Sequence, residues 1–131
     1  TYSNQIMLSR PMSSALCELI FVVNSIFDSD FNAILVNRYN TGNDTVLEHS
    51  DTETFLDPLQ GVVSLSYGAT RKFRVRDKNT NAFVDTPANH GSLLQMAGPF
   101  QRYFKHGIPV EKRVCEPRIS FTFRHHIPNC I

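Results

Sequence analysis

The 131-residue chain reads as a mainly β fold (α+β class), a double-stranded β-helix or jelly roll with one N-terminal packing helix. Three observations predict it. Apolar residues recur at helical spacing near the start of the chain. From residue 31 onward the pattern changes to short runs of period two, separated by turn clusters rich in Asn, Asp, Gly and Pro. The runs number about eight, and a jelly roll holds eight strands in two sheets.

The helix comes first. Leu16, Leu19, Ile20, Val23, Ile26 and Phe27 fall on one helical face after Pro11 and the capping candidates Ser13 and Ser14, which predicts a helix over 14–27 whose role is packing. Strands are predicted over 32–39, 45–49, 61–67, 71–76, 82–85, 92–97, 103–107 and 117–124. The turn clusters Asn40-Thr-Gly-Asn-Asp44, Asp77-Lys-Asn-Thr-Asn81 and Pro87-Ala-Asn-His-Gly91 punctuate them. Neither internal repeats nor a low-complexity linker interrupts this order, helix first and then strands.

At this length, with 41% hydrophobic residues, the expectation is a single domain over 1–131: a helical segment over 1–30 and a jelly-roll core over 31–124. The first residue is Thr1 rather than Met, as expected for a domain excised from a larger protein. The longest apolar run, Leu19–Val23, falls far short of the roughly 20 residues that cross a bilayer, so no integral membrane segment is expected. Cys17, Cys115 and Cys130 have no C-x-x-C spacing. That disfavours a disulfide framework and a zinc-thiolate site and suits a reducing, cytoplasmic setting, with the domain a monomer. Residues 1–60 hold two of the 13 Lys+Arg and eight of the 12 Asp+Glu, which leaves 11 and four for residues 61–131, or about −6 against +7. The C-terminal half is therefore the candidate surface for a polyanion.

His49-Ser-Asp51 and Phe104-Lys-His106-Gly107 carry the candidate chemistry. Side chains alternate along an extended segment, so His49, Asp51 and Glu53 share a face, and His106 must be delivered by another strand. Two imidazoles and a carboxylate form the facial triad that holds non-heme iron(II) with coordination positions left open. Alone, His-x-Asp is more often a solvated strand end, and the same three ligands also suit a zinc hydrolase. His90, beside Gly91, reads as a turn residue, and His125 and His126 as solvated tail residues.

Residues 118–124 alternate strictly, with Arg118, Ser120, Thr122 and Arg124 on one face and Ile119, Phe121 and Phe123 on the other. If the polar face lines the interior of the roll, its guanidinium groups need partners, and a dicarboxylate supplies two through bidentate forks. Six residues of strand span ~20 Å, so a small ligand meets both arginines only if they lean toward each other. Asn37 and Tyr39, flanking Arg38, are the types to add an amide and a phenol hydrogen bond. Triad and arginines together point to a 2-oxoglutarate-dependent oxygenase.

At this point the chain resembles the AlkB family of iron(II)/2-oxoglutarate nucleic-acid demethylases. The matching stretches are Phe31–Tyr39, His49–Glu53, Val63–Arg71, His90–Met96, His106–Pro109 and Arg118–Arg124, in the family's order. The resemblance implies iron ligands His49, Asp51 and His106, which are also the catalytic residues. It implies Arg118 and Tyr39 at the distal carboxylate of 2-oxoglutarate, with Asn37 and Arg124 near its keto-acid end. Ser120 stands where the family commonly has asparagine, and Glu53 where an acidic residue faces the methylated base. The implied reaction uses dioxygen and 2-oxoglutarate to demethylate N-methylated bases in single-stranded RNA, or in DNA, releasing formaldehyde, succinate and carbon dioxide. His-Ser-Asp and Arg-x-Ser-x-Thr-Phe-Arg look like the short domains of this family in plant RNA virus replicase polyproteins. The family's nucleotide-recognition lid precedes its catalytic core, and little of it is expected within these 131 residues.

The strand from Arg71 supplies candidate substrate contacts. Lys72, Arg74, Arg76 and Lys78 share a face if 71–78 is extended, and with Arg71 they could hold phosphates. A charged edge strand protected against aggregation has the same pattern. Two alternatives also stay open: an oxygenase of the same cofactor class acting on a protein or small molecule, and an inactive metal- or RNA-binding module.

Overall fold

The computed structural model describes residues 12–51 and 60–126, together with the backbone of residues 4–7. The elements in chain order are β1 (Asn4–Met7), α1 (Ser14–Phe27), β2 (Ala33–Tyr39), β3 (Val46–His49), β4 (Val62–Gly68) and β5 (Arg71–Asp77). Next come β6 (Phe83–Ala88), β7 (Leu93–Met96), α2 (Phe100–Tyr103), β8 (Phe104–Ile108) and β9 (Arg118–Arg124). A major sheet runs β1-β2-β9-β4-β7 and a minor sheet β3-β8-β5-β6. All the pairings are antiparallel. This is the jelly-roll arrangement with a helix packed outside it.

Helix α1 occupies the predicted span. Ser13 is extended at φ −63°, ψ 162°, and its hydroxyl accepts a bond from the Leu16 N–H, the N-cap that offsets an orphan donor of the first turn. The helix stops at Asp28, which is left-handed at φ 51° and donates its N–H to the Asn24 carbonyl. The Asn24 side chain then fixes the exit: its amide donates to the Phe31 carbonyl at 3.1 Å, and its Oδ1 accepts from the Phe31 N–H at 2.8 Å. Leu16, Leu19, Ile20, Val23 and Phe27 pack with Ile34, Val63, Leu65 and Phe123 on the outer face of the major sheet. Ile26 departs from its predicted role and is exposed, because the buried stripe is centred on Val23.

Two elements were not predicted. β1 adds to the free edge of β2, with Ile6 opposite Val36, so a strand precedes the helix and the predicted order of helix before all strands is corrected. A one-turn helix, α2, follows Pro99 and delays the start of β8 to Phe104, one residue beyond the expected 103. Pro99 accepts the Arg102 N–H through its carbonyl at 2.9 Å, a tight turn that a period-two reading does not see.

Between the sheets lies a second core of Tyr39, Val62, Phe73, Ala88, Met96 and Ile108. The same alternation that points Ile34, Val63 and Phe123 at the helix points Leu35, Asn37, Tyr39 and every second residue of β9 inward. The register of β3 on β8 shifts between Val46↔Ile108 and His49↔His106, which marks a bulge. Gly107 sits under it. A Cβ there would lie 2.7 Å from the Val46 carbonyl oxygen and 3.0 Å from the Glu48 nitrogen, so this close approach of backbones needs glycine.

Candidate metal and cosubstrate centre

The inward faces of the two sheets enclose a cavity of about 290 Å³. The minor-sheet side contributes His49, Ser50, Asp51, Phe73 and His106, and the major sheet Asn37, Tyr39, Ser64, Arg118, Ser120, Thr122 and Arg124. All three predicted metal ligands and all five predicted cosubstrate residues thus line one space.

The bulge and its glycine put His49 directly opposite His106 across the β3–β8 pairing, with ring centroids 4.5 Å apart. His49 Nδ1–H donates to the Leu47 carbonyl at 2.8 Å, which turns Nε2 toward Asp51, 3.2 Å from its Oδ1. His106 Nε2 lies 3.7 Å from Asp51 Oδ2. Candidate ligand atoms of the three residues all fall within 4.8 Å of one another, the one such group among the described residues. Phe73 stacks on the His106 ring at 5.6 Å and 14°, fixing its plane.

The electrostatics suit a cation. Burial pushes the His106 pKa down to about 4 despite the opposing Asp51 charge, so the ring is neutral at physiological pH, the state that ligates. Burial works against the Asp51 carboxylate, but His49, Arg124 and His106 outweigh it and its pKa is lowered. His49 is raised, first by its bond to Asp51, against the cost of burial. Asp51 Oδ2 is buried and has no hydrogen-bond partner among the described residues. An unpaired buried carboxylate oxygen between two imidazoles is costly, and a divalent ion would satisfy it.

Farther along β9, Arg118 is 1% exposed. Its NH2 donates to Ser66 Oγ at 2.7 Å and its guanidinium lies 4.9 Å from the Tyr39 ring centroid, while Nε and NH1 are buried with no hydrogen-bond partner among the described residues. Burial lowers its pKa, with the Tyr39 hydroxyl opposing. Two idle donors of one planar fork facing a cavity fit a carboxylate. At the other end of the strand Arg124 NH2 lies 3.3 Å from Asp51 Oδ1. Ser120 and Thr122, both buried, lie between, so β9 runs along the cavity from Arg118 to the His-Asp-His cluster.

The predicted substrate contacts fare differently. Glu53 lies outside the described residues. Arg71 points inward, opposite in parity to Lys72, Arg74 and Arg76, and it is 1% exposed. Its guanidinium donates to the carbonyls of Thr41, Gly42, Asp44 and Pro109 at 2.8–3.3 Å and pairs with Glu111 at 3.3 Å. The expectation that Arg71 holds phosphate is therefore corrected: its donors are spent clamping two loops. Lys72 is exposed on the outer face of the minor sheet. Arg74 forms a fork with Asp85 at 2.7 and 2.9 Å, and Arg76 one with Glu48 at 2.6 and 3.2 Å. None of these four basic residues lines the cavity. His90 is a turn residue, as expected, its Nδ1 accepting the Gly68 N–H at 3.0 Å.

Several residues of the centre were not predicted. Ser64 and Ser66 alternate with Val63 and Leu65 on β4, a polar-inward signal of the kind read on β9. Gln101 accepts the Asp51 N–H at 2.7 Å across 50 residues, a contact no local pattern announces.

Comparisons with known proteins agree with this geometry. The family described as the 2OG-Fe(II) oxygenase superfamily matches residues 4–124. The chain is similar to human DNA oxidative demethylase ALKBH2, 36% identical over 132 residues that cover 95% of this chain and 51% of that protein. It is also similar to human alpha-ketoglutarate-dependent dioxygenase alkB homolog 3, 38% identical over 108 residues, 76% of this chain and 38% of that protein. The chain spans about half the length of ALKBH2. The solved structure of OsALKBH1 shares the fold, with a TM-score of 0.63 and 21% identity over 88% of this chain and 67% of that one.

Proposed function

Because the chain belongs to the 2OG-Fe(II) oxygenase superfamily, with AlkB-type proteins among its relatives, we propose that it is an iron(II)- and 2-oxoglutarate-dependent dioxygenase that demethylates N-methylated bases in single-stranded nucleic acid. RNA is the first substrate to test and DNA, which the name of ALKBH2 specifies for that protein, the second. One observation carries the reading: a buried His-Asp-His cluster and a buried arginine with two idle donors line the same cavity.

His49, Asp51 and His106 would hold the iron, Arg118 and Tyr39 the distal carboxylate of 2-oxoglutarate, and Asn37, Ser120 and Arg124 its other end. Iron with 2-oxoglutarate and dioxygen supplies oxidising power for hydroxylating an N-methyl group, giving formaldehyde, succinate and carbon dioxide. The protein's part is binding and orientation. His49 donates from Nδ1 to the Leu47 carbonyl, so Nε2, beside Asp51, is the nitrogen that would meet the metal once its proton is displaced. Burial keeps His106 unprotonated, and Asp51 stays ionised between its cationic and imidazole neighbours. The half-exposed His49 ring marks the side from which an unstacked base would approach.

Residues 1–131 as one monomeric, cytoplasmic domain, and its likeness to replicase-embedded viral domains, are further parts of this proposal. They rest on the sequence patterns and on the free thiols of Cys17 and Cys115. The test is mass spectrometry of methylated RNA and DNA oligonucleotides after incubation with iron(II), 2-oxoglutarate and air, with His49→Ala as control. Loss of the methyl group with wild type and not with the variant is expected. Succinate formation with every oligonucleotide left methylated would refute the nucleic-acid substrate while sparing the oxygenase.

A further inference from the structure

We propose that Gln101 is a positioning residue for the carboxylate of the triad, an inference that rests on reading His49, Asp51 and His106 as metal ligands. β3 ends at His49, so Asp51 lies beyond the strand. What holds its backbone is a side chain: the Asp51 N–H donates to Gln101 Oε1 at 2.7 Å. The preceding residue is tied to the same region, since the Ser50 hydroxyl donates to the Phe104 carbonyl at 2.7 Å.

Gln101 is itself fixed from three directions. It belongs to the single turn α2, closed by the Phe100 N–H on the Ala97 carbonyl and the Arg102 N–H on the Pro99 carbonyl. Its amide nitrogen donates to Met96 Sδ at 3.5 Å, which orients the amide with Oε1 toward Asp51. Its main-chain carbonyl accepts from Lys78 Nζ at 2.8 Å. The Met96 that orients the amide is 3% exposed and lines the cavity, so the support is part of the cavity wall.

The consequence is geometric. Fixing the Asp51 amide plane fixes the direction of its Cα–Cβ bond, and a site must hold its ligands within ~0.5 Å and ~10–20° to work. Without Gln101 the Asp51 N–H would be left unpaired in a buried place and would rotate toward another acceptor, carrying the carboxylate with it. Outer-shell partners of metal ligands act in this way, and their loss costs about 10–100-fold in metal affinity.

The test is anaerobic manganese(II) titration of the whole protein, followed by the loss of the free-ion paramagnetic resonance signal. Wild type is compared with Gln101→Met, which keeps the volume but not the acceptor, and with Gln101→Glu, which keeps an acceptor. The absorption band of added iron(II) and 2-oxoglutarate is read in parallel. We expect Gln101→Met to bind manganese about 10–100-fold more weakly, with the metal-free protein still folded and its melting temperature lowered by only a few degrees, and Gln101→Glu to recover most of the lost affinity. Gln101→Ala serves if the Met variant does not fold, with the same weakening expected. A Met or Ala variant binding within twofold of wild type overturns the inference, as does a Glu variant as weak as the Met variant. Absence of manganese binding by wild type would overturn the metal reading beneath it, a result separable from the first two.

Discussion

Gly107→Ala tests how the bulge on β3 sets the distance between the two imidazoles. The added Cβ would meet the Val46 oxygen at 2.7 Å, the Glu48 nitrogen at 3.0 Å and the Glu48 Cα at 3.1 Å, all backbone atoms of the strand that ends in His49. Flexible side chains cannot absorb such contacts, so β3 has to lift from β8 by roughly 0.5 Å, and overpacking of this kind costs ~1–3 kcal/mol. The same lift moves His49 relative to His106, its partner across the pairing. Metal sites hold their distances to about ±0.2 Å, so affinity should fall at least tenfold. Calorimetry of the metal-free protein and anaerobic manganese(II) titration measure the two effects. Gly91→Ala is the control: its φ of 78° strains an added side chain, yet no atom of the described residues lies within 4 Å of the new Cβ. It should lower stability and leave metal affinity alone. A Gly107→Ala protein with wild-type melting and wild-type metal affinity would refute the reasoning.

Three further outcomes are expected. Arg71→Met removes the guanidinium that ties the carbonyls of Thr41, Gly42, Asp44 and Pro109 and the Glu111 carboxylate together and should cost ~3 kcal/mol; an unchanged urea midpoint would show that the clamp contributes nothing. Arg118→Met should raise the KM for 2-oxoglutarate by roughly 30-fold or more, and Arg118→Lys should not rescue it, because an ammonium lacks the fork. Equal KM values in Arg118→Lys and wild type would argue against a bidentate contact. For the metal-free protein, His106 binds its proton near pH 6.5 unfolded but only at about 4 folded, so its contribution is complete above pH 6.5 and is lost as pH falls toward 4. That loss is on the order of 3 kcal/mol. The lowered Asp51 pKa adds a loss in the same direction, while the raised His49 pKa contributes stability that is fully present only on the acid side and so partly offsets it. Urea unfolding between pH 4 and 8 measures the sum, and a stability that rises from pH 7 to pH 5 would contradict this assignment.

Local periodicity made most of the fold legible. The helix over Ser14–Phe27 and the cores of eight strands follow from spacing that the packing then uses, and the alternation on β9 correctly puts its two arginines on one inward face. β1 escaped because Asn4–Met7 is short and is held by the edge it joins, and α2 because one turn has no period to read. The centre divides in the same way. Residues whose orientation follows from alternation could be assigned, whereas Ser66 and Gln101 meet their partners across 52 and 50 residues and depend on tertiary structure. Arg71 was grouped with its neighbours by charge although its parity already set it apart. Arg74 and Arg76 looked like a free basic row because Asp85 and Glu48, which neutralise them, belong to other strands. The charge split of the sequence is partly consumed inside the molecule in this way: Arg76–Glu48 and Arg124–Asp51 each join a basic C-terminal residue to an acidic N-terminal one.

The sheet order also has a consequence for how the molecule comes together. In the major sheet β9 is the strand that joins β1-β2 to β4-β7, and in the minor sheet β8 joins β3 to β5-β6. Both joining strands follow the strands they join in the chain, so the pairs β1-β2, β4-β7 and β5-β6 cannot be united into complete sheets until residues 104–124 have been made. Pairing over such separations is intrinsically slow. The joining strands also carry His106, Arg118 and Arg124, so the candidate centre cannot be assembled before the sheets are joined. Ligands that bridge β3 to β8 and β2 to β9 would then act as closing clamps on a nascent chain, selectively retaining the copies that completed both sheets.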